Sequence, residues 1–177
     1  MDDILPIIYV SGLLIFLLGL FIFVVLQIVK TRQVENKFNR LQKKLQQEKG
    51  SAKEYYELGS IYLDKKLYVQ AVTLLQKALK TDAGGVEEEN KALIYNALGF
   101  AYFSQEQFDL AIRNYKEAIK LYPQYTIALN NLGNVYERKQ MVNKALESYE
   151  ETLKYEPNNT VAKKRVQSLR KRLVPSA

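Results

Sequence analysis

The chain has 177 residues, 26 Lys and Arg against 19 Asp and Glu, no Cys and no His, and a net charge of +7. Without cysteine there is no disulfide framework, zinc knuckle, iron–sulfur cluster or thiol nucleophile, and without histidine most catalytic triads and most zinc or iron sites fall away. The charge is partitioned: residues 1–29 carry −2, residues 30–50 carry +5, residues 51–159 carry −2 and residues 160–177 carry +6.

From Ile4 to Val29 no residue is charged, and most are Ile, Leu, Val or Phe. As a helix, a run of this length would span roughly 39 Å, against about 30 Å for the hydrocarbon core of a bilayer. A small domain cannot cover a helix that is apolar on every face. A cleaved signal peptide wants basic residues before a shorter run, whereas here Asp2 and Asp3 precede it and Lys30 and Arg32 follow. Residues 1–29 are therefore expected to be an uncleaved single-pass anchor, with residues 4–29 in the bilayer. The basic residues lie only after the span, so the rest of the chain is expected on the cytoplasmic side, or its plastid equivalent, the stroma. The N-terminus would be on the far side.

Residues 30–50 are expected to form a basic helical stalk. Val34, Phe38, Leu41 and Leu45 make a heptad-like stripe, while Lys37, Arg40, Lys43 and Lys44 occupy the other faces. The stripe suits a stalk leaning on the following domain, a dimer seam, or a helix lying on anionic lipid. Gly50-Ser51 reads as a boundary, since Gly ends helices and Ser caps them.

The next segment repeats itself. Tyr55-x-x-Leu58-Gly59-x-x-Tyr62 recurs as Tyr95-x-x-Leu98-Gly99-x-x-Tyr102 and as Leu129-x-x-Leu132-Gly133-x-x-Tyr136. Each is followed at the same distance by Ala71, Ala111 or Ala145, then by Leu75, Tyr115 or Tyr149, then by Ala78, Ala118 or Thr152. Ala83, Pro123 and Pro157 close the three units. The repeats occupy 52–85, 92–125 and 126–159, with an insertion near 84–91 that carries Gly84-Gly85 and the acidic run Glu87 to Glu89. That acidic run is expected in an early first turn of the following helix, where carboxylates favour the helix dipole.

These residues resemble the tetratricopeptide repeat (TPR). The resemblance implies an all-α chain: a single N-terminal transmembrane helix, a helical stalk, a three-repeat right-handed solenoid over 51–159, and a capping helix in the basic segment 160–177. Each repeat would be two helices, A and B, meeting where Gly and Ala allow close approach. Pro123 and Pro157 would stop the B helices. One pair cannot bury its own apolar face, so pairs must stack. Val161, Ala162, Val166, Leu169 and Leu173 are expected as the inner face of the cap.

In this fold the A helices line a groove. Its candidate residues are Tyr56 and Ser60, then Asn96, Phe100 and Phe103, then Asn130, Asn134 and Glu137, then Lys164 on the cap. Phenylalanines flanked by amides suit an extended peptide or a partner helix, although the two rings could equally pack between neighbouring helices. Chaperone-tail receptors of this family place Lys and Asn where this chain has Tyr56 and Ser60, which disfavours that role. No phosphate-binding loop follows Gly84-Gly85, and no carboxylate pair stands apart, so no enzyme, metal or cofactor is expected. The basic ends lack the interleaved aromatics of a nucleic-acid platform.

One span, a short basic stalk, three repeats and a basic end together resemble the membrane-anchored photosystem I assembly protein of cyanobacteria and algal plastids, the hypothetical chloroplast reading frame thirty-seven family. The resemblance implies a thylakoid protein with its repeats in the stroma or cytoplasm. There it would assist photosystem I assembly or stability by non-covalent contact with subunits or intermediates. The basic stalk and cap would be available to anionic lipid. Other readings of the same architecture are a membrane-anchored import or translocation receptor and a self-associating scaffold.

Overall fold

The computed structural model describes residues 4–81 and 87–173. The expected turn at Gly84-Gly85, Ala83, Asp2 and Asp3 lie outside the described residues. The described residues form eight α-helices and no strand: α1 (Ile4–Gln47), α2 (Ala52–Asp64), α3 (Tyr68–Thr81), α4 (Glu88–Ser104), α5 (Phe108–Leu121), α6 (Thr126–Arg138), α7 (Val142–Tyr155) and α8 (Thr160–Leu173). The chain divides after Gln47 into two compact units.

The first unit is α1 alone. It runs unbroken through the change from apolar to basic composition at residue 30. Every side chain from Tyr9 to Val34 is exposed. Among the described residues nothing buries the apolar side chains from Tyr9 to Val29, and α1 is long and apolar enough to cross a bilayer.

The second unit is a right-handed TPR solenoid. Its helices pair as α2 with α3, α4 with α5, and α6 with α7. Successive pairs stack, α2 also touches α4, α4 touches α6, and α8 closes the stack on α7. It opens on a capping box: the Glu54 N–H donates to Ser51 Oγ at 3.3 Å, and the Ser51 N–H donates to Glu54 Oε2 at 3.0 Å. These two bonds satisfy donors that the first turn of a helix otherwise leaves unpaired.

The repeat signature marks where each pair meets. A Cβ built on Gly59 would stand 3.0 Å from Leu75 Cγ, one on Gly99 2.6 Å from the Tyr115 ring, and one on Gly133 2.8 Å from Tyr149 Cζ. The glycines let a large B-helix side chain rest directly on the A-helix backbone. Leu75, Tyr115 and Tyr149 are almost wholly buried as a result. Each such side chain contributes roughly 1.5–3 kcal/mol by leaving water. Ala71, Ala78, Ala111, Ala118 and Ala145 are fully buried, as is Thr152, whose hydroxyl donates to the Ser148 carbonyl within α7. Tyr55, Leu58, Leu98, Leu129, Leu132 and Tyr136 are buried on the A side, while Tyr62, Tyr95 and Tyr102 are half-buried.

All three A–B turns share one geometry. The N–H of Leu67, Gln107 and Met141 donates to the carbonyl of Tyr62, Tyr102 and Tyr136, and the N–H of Lys66, Glu106 and Gln140 donates to that of Leu63, Phe103 and Glu137. This is the Schellman arrangement, which needs a left-handed residue just past the helix. Lys66, Glu106 and Gln140 fill that place with φ of 59° each, where glycine is the residue that fits without strain. The B helices end differently. α5 stops one residue before Tyr122-Pro123 and α7 one residue before Glu156-Pro157, since Pro disfavours helix in the residue before it.

α4 starts at Glu88, a turn earlier than its repeat position at Ala92, with Glu88 and Glu89 in its first turn. The cap differs from expectation. Ala162, Val166 and Leu169 are buried, but Val161 is 56% and Leu173 is 45% exposed. A terminal helix has only one neighbour to pack on, so a narrow 4-and-3 seam is buried instead of a broad face. Glu156, just after α7, accepts from Thr126 Oγ1 at 2.5 Å and from Asn159 Nδ2 at 2.8 Å. The first bond ties the start of α6 to the end of α7, and the two together hold the Glu156 carboxyl below its usual range.

Candidate functional site: the A-helix face

Along the A helices α2 touches α4, α4 touches α6, and Glu137 on α6 pairs with Arg165 on α8, while the repeat register sets which residues are equivalent. Tyr56, Asn96, Asn130 and Lys164 occupy equivalent positions. The first three are half-buried and Lys164 is exposed. Between α2 and α4 the face dips into a cleft of about 310 Å³, lined by Ala52, Lys53, Tyr56, Glu57, Asn90, Leu93 and Ile94.

Polar bonds cross the helices. Asn131 Nδ2 donates to Asn96 Oδ1 at 3.0 Å, joining α6 to α4. The Asn96 side chain also hydrogen-bonds the Tyr125 phenol, which sits between α5 and α6. Burial, and secondarily the neighbouring Tyr56, pushes Tyr125 up to about 12, with the Asn96 bond opposing them. Tyr125 also stacks on Tyr122, with ring centroids 5.7 Å apart. At neutral pH this cluster is uncharged. Asn130 differs, because its Oδ1 is buried and has no hydrogen-bond partner among the described residues.

The remaining candidates separate by environment. Phe100 is 42% exposed and meets the edge of Tyr68 at 6.5 Å between centroids. Phe103 is half-buried, 5.9 Å from Phe108, and packs against the core cluster that holds Tyr115 and Tyr149. Ser60 turns its hydroxyl back to the Tyr56 carbonyl at 2.9 Å. Asn134 is half-buried. Glu137 accepts from the Tyr149 phenol at 2.8 Å and pairs with Arg165 at 3.5 Å, so its carboxylate links α6, α7 and α8. Burial, reinforced by Glu137, pushes the Tyr149 phenol well above its ordinary range.

Three residues on this face were not among the sequence candidates. Leu93, Ile127 and Val161 stand at equivalent positions one turn before Asn96, Asn130 and Lys164. Ile127 and Val161 are each 56% exposed. Their 34-residue spacing was a usable signal, but apolar residues near a helix start read first as core.

Paired helices with small residues at the crossing, stacked in register and closed by a basic helix, define a TPR protein. TPR family models match residues 52–124 and 126–159. The chain is 37% identical over 135 residues to the ycf37 protein of Guillardia theta, covering 74% of this chain and 73% of that one. It is 37% identical over 122 residues to the chloroplastic TPR domain-containing protein PYG7 of Arabidopsis thaliana, covering 67% of this chain and 40% of that one. Among solved structures, that of MamA superposes with a TM-score of 0.72 at 25% identity, over 81% of each chain. The chain belongs to the ycf37 family of TPR proteins. Its repeat unit is a protein-interaction module.

Proposed function

We propose that this chain is a membrane-tethered, non-catalytic adaptor that assists assembly or stability of photosystem I at the thylakoid membrane. The repeats lie in the stroma or cytoplasm and the N-terminus lies on the far side. One observation carries the reading: α1 exposes an uncovered apolar half, then a basic half, and then leads into a TPR solenoid. The residue order supports the orientation, because Lys30 and Arg32 follow the apolar run. A relative with a chloroplastic name supports the compartment. Tethering confines the A-helix face to a thin layer above the bilayer. It thereby raises its effective concentration toward nascent or partly assembled membrane subunits.

Carbonate washing and protease digestion of isolated membranes test the tether. The chain should stay in the washed pellet, and protease added on the stromal or cytoplasmic side should remove the repeats. Release by carbonate would contradict the reading.

A further inference from the structure

The closing helix α8 carries six basic residues and no acidic one. Ala162, Val166 and Leu169 form its buried seam. The basic residues fall in three pairs seven apart: Lys163 with Arg170, Lys164 with Lys171 and Arg165 with Arg172. Seven residues are nearly two turns, so each pair makes a row roughly 10 Å long on one side of the helix. The row of Lys164 and Lys171 stands opposite the seam, the other two rows flank it, and all six residues are exposed. We propose that this outer face docks on the anionic headgroups of the membrane that α1 enters. Such docking rests on the tethered reading and deepens it, because it gives the solenoid a second attachment at the end of the stack remote in sequence from the span.

The six charges are not equivalent. Arg170 reaches Glu150 on α7 at 2.6 Å, and Arg165 reaches Glu137 on α6 at 3.5 Å. These two pairs brace the helix against the last repeat and use one cation from each flank. Lys163 donates to the neutral Asn158 amide at 3.1 Å. Lys164, Lys171 and Arg172 have no ion-pair or hydrogen-bond partner among the described residues. Four positive charges are therefore left on the cap with no acid beside them.

Charge complementarity points to a negative surface. Residues 51–159 carry −2 and residues 160–177 carry +6, so a negative plane attracts this end of the solenoid and repels its body. Each Lys or Arg near an anionic leaflet favours contact by roughly fivefold. Composition favours headgroups over a protein partner. Protein interfaces centre on aromatic or aliphatic anchors, and α8 has no aromatic residue. Its exposed apolar residues, Val161 and Leu173, stand at opposite ends of the helix and off the lysine row. The exposed residues between Lys164 and Lys171 are the polar Gln167 and Ser168, with the flank cations Arg165 and Arg170. A layer of mobile headgroups needs no anchor and adjusts to any spacing of cations.

The chain has no cysteine, so one introduced thiol reports one position. The test puts a donor dye on Gln167→Cys in α8, or on Gln70→Cys at the exposed start of α3, in the full chain held in nanodiscs with acceptor-labelled headgroups. The discs are phosphatidylcholine alone, or the same with about a third replaced by phosphatidylglycerol. Energy transfer from position 167 should rise with phosphatidylglycerol and exceed any rise from position 70. It should fall back at about 1 M salt, where the screening length is roughly 3 Å. Lys164→Gln, Lys171→Gln and Arg172→Gln together should lower the docked-to-undocked ratio by about 100-fold. They should leave the melting temperature unchanged, because all three positions are exposed. Transfer from position 167 that ignores lipid composition, survives the triple variant or is matched at position 70 would overturn the docking. So would a polyglutamate peptide that binds the chain as tightly in anionic discs as in neutral ones, since it would mark the face as an open protein site. A chain that stays in the discs while failing these tests loses the α8 contact and keeps the tether, whereas a chain that leaves the discs loses both.

Discussion

Gly99 and Tyr115 are complementary: the space that a Cβ on Gly99 would need is filled by the Tyr115 ring, 2.6 Å away at two of its carbons. Gly99→Ala gains up to about 1 kcal/mol in helix propensity but forces a rigid, buried ring to move, at about 1–3 kcal/mol or more. The variant should melt lower than wild type. Gly59→Ala should cost less, because its neighbour is a leucine that can shift by a few tenths of an ångström from 3.0 Å. Adding Tyr115→Leu to Gly99→Ala should recover part of the loss by recreating the Gly59–Leu75 pairing. Thermal denaturation of the three variants checks the order.

The three left-handed residues make the opposite prediction. Lys66, Glu106 and Gln140 hold φ of 59° with a Cβ that the conformation disfavours. Replacing each by Gly should stabilise the solenoid by about 0.5–1 kcal/mol, and the effects should add because the turns lie in different repeats. Urea unfolding of the single and triple variants measures this. A Gly that destabilises at any of the three would mean the side chain holds the turn.

The two phenylalanines of α4, Phe100 and Phe103, should behave differently. Phe103→Asp places a charge against the Tyr115 and Tyr149 cluster and should cost about 3 kcal/mol or more, unfolding the middle of the solenoid. Phe100→Asp loses mainly an edge contact with Tyr68 and should cost about 1 kcal/mol. Circular dichroism on both variants separates the two environments.

How much of this was legible in the sequence depends on how each contact is encoded. Gly59, Gly99 and Gly133 with their alanines announced the helix crossings, because close approach needs small residues and the register repeats. The left-handed turns carried no signal, since Lys66, Glu106 and Gln140 are not glycines. Glu137 looked like a groove acid, yet its carboxylate joins Tyr149 and Arg165, residues that only the fold brings together. Asn96, Asn131 and Tyr125 likewise meet only across repeats. Val161 and Leu173 were expected inside the cap by their apolar character, and a terminal helix buries less than that.

Alkaline pH offers a further check. Tyr125 has a folded-state value raised from 10 to about 12, so its contribution to stability is complete below pH 10 and is lost as pH rises from 10 through about 12. Tyr115 and Tyr149 are pushed higher still by burial, and add to the same limb. Stability should therefore fall steeply above pH 10, and Tyr125→Phe should make that fall shallower. Denaturant midpoints between pH 9 and 12, with phenolate absorbance followed in parallel, give the slope.

The tethered-adaptor account is tested most directly by native electrophoresis of gently solubilised thylakoid membranes, followed by a denaturing second dimension and mass spectrometry of the spots. The account predicts that the chain migrates with photosystem I subunits in complexes smaller than the finished photosystem. It also predicts that this association disappears when the α1 apolar run is replaced by a soluble linker. Migration of the chain alone, or with itself only, while photosystem I accumulates normally in its absence, would contradict it.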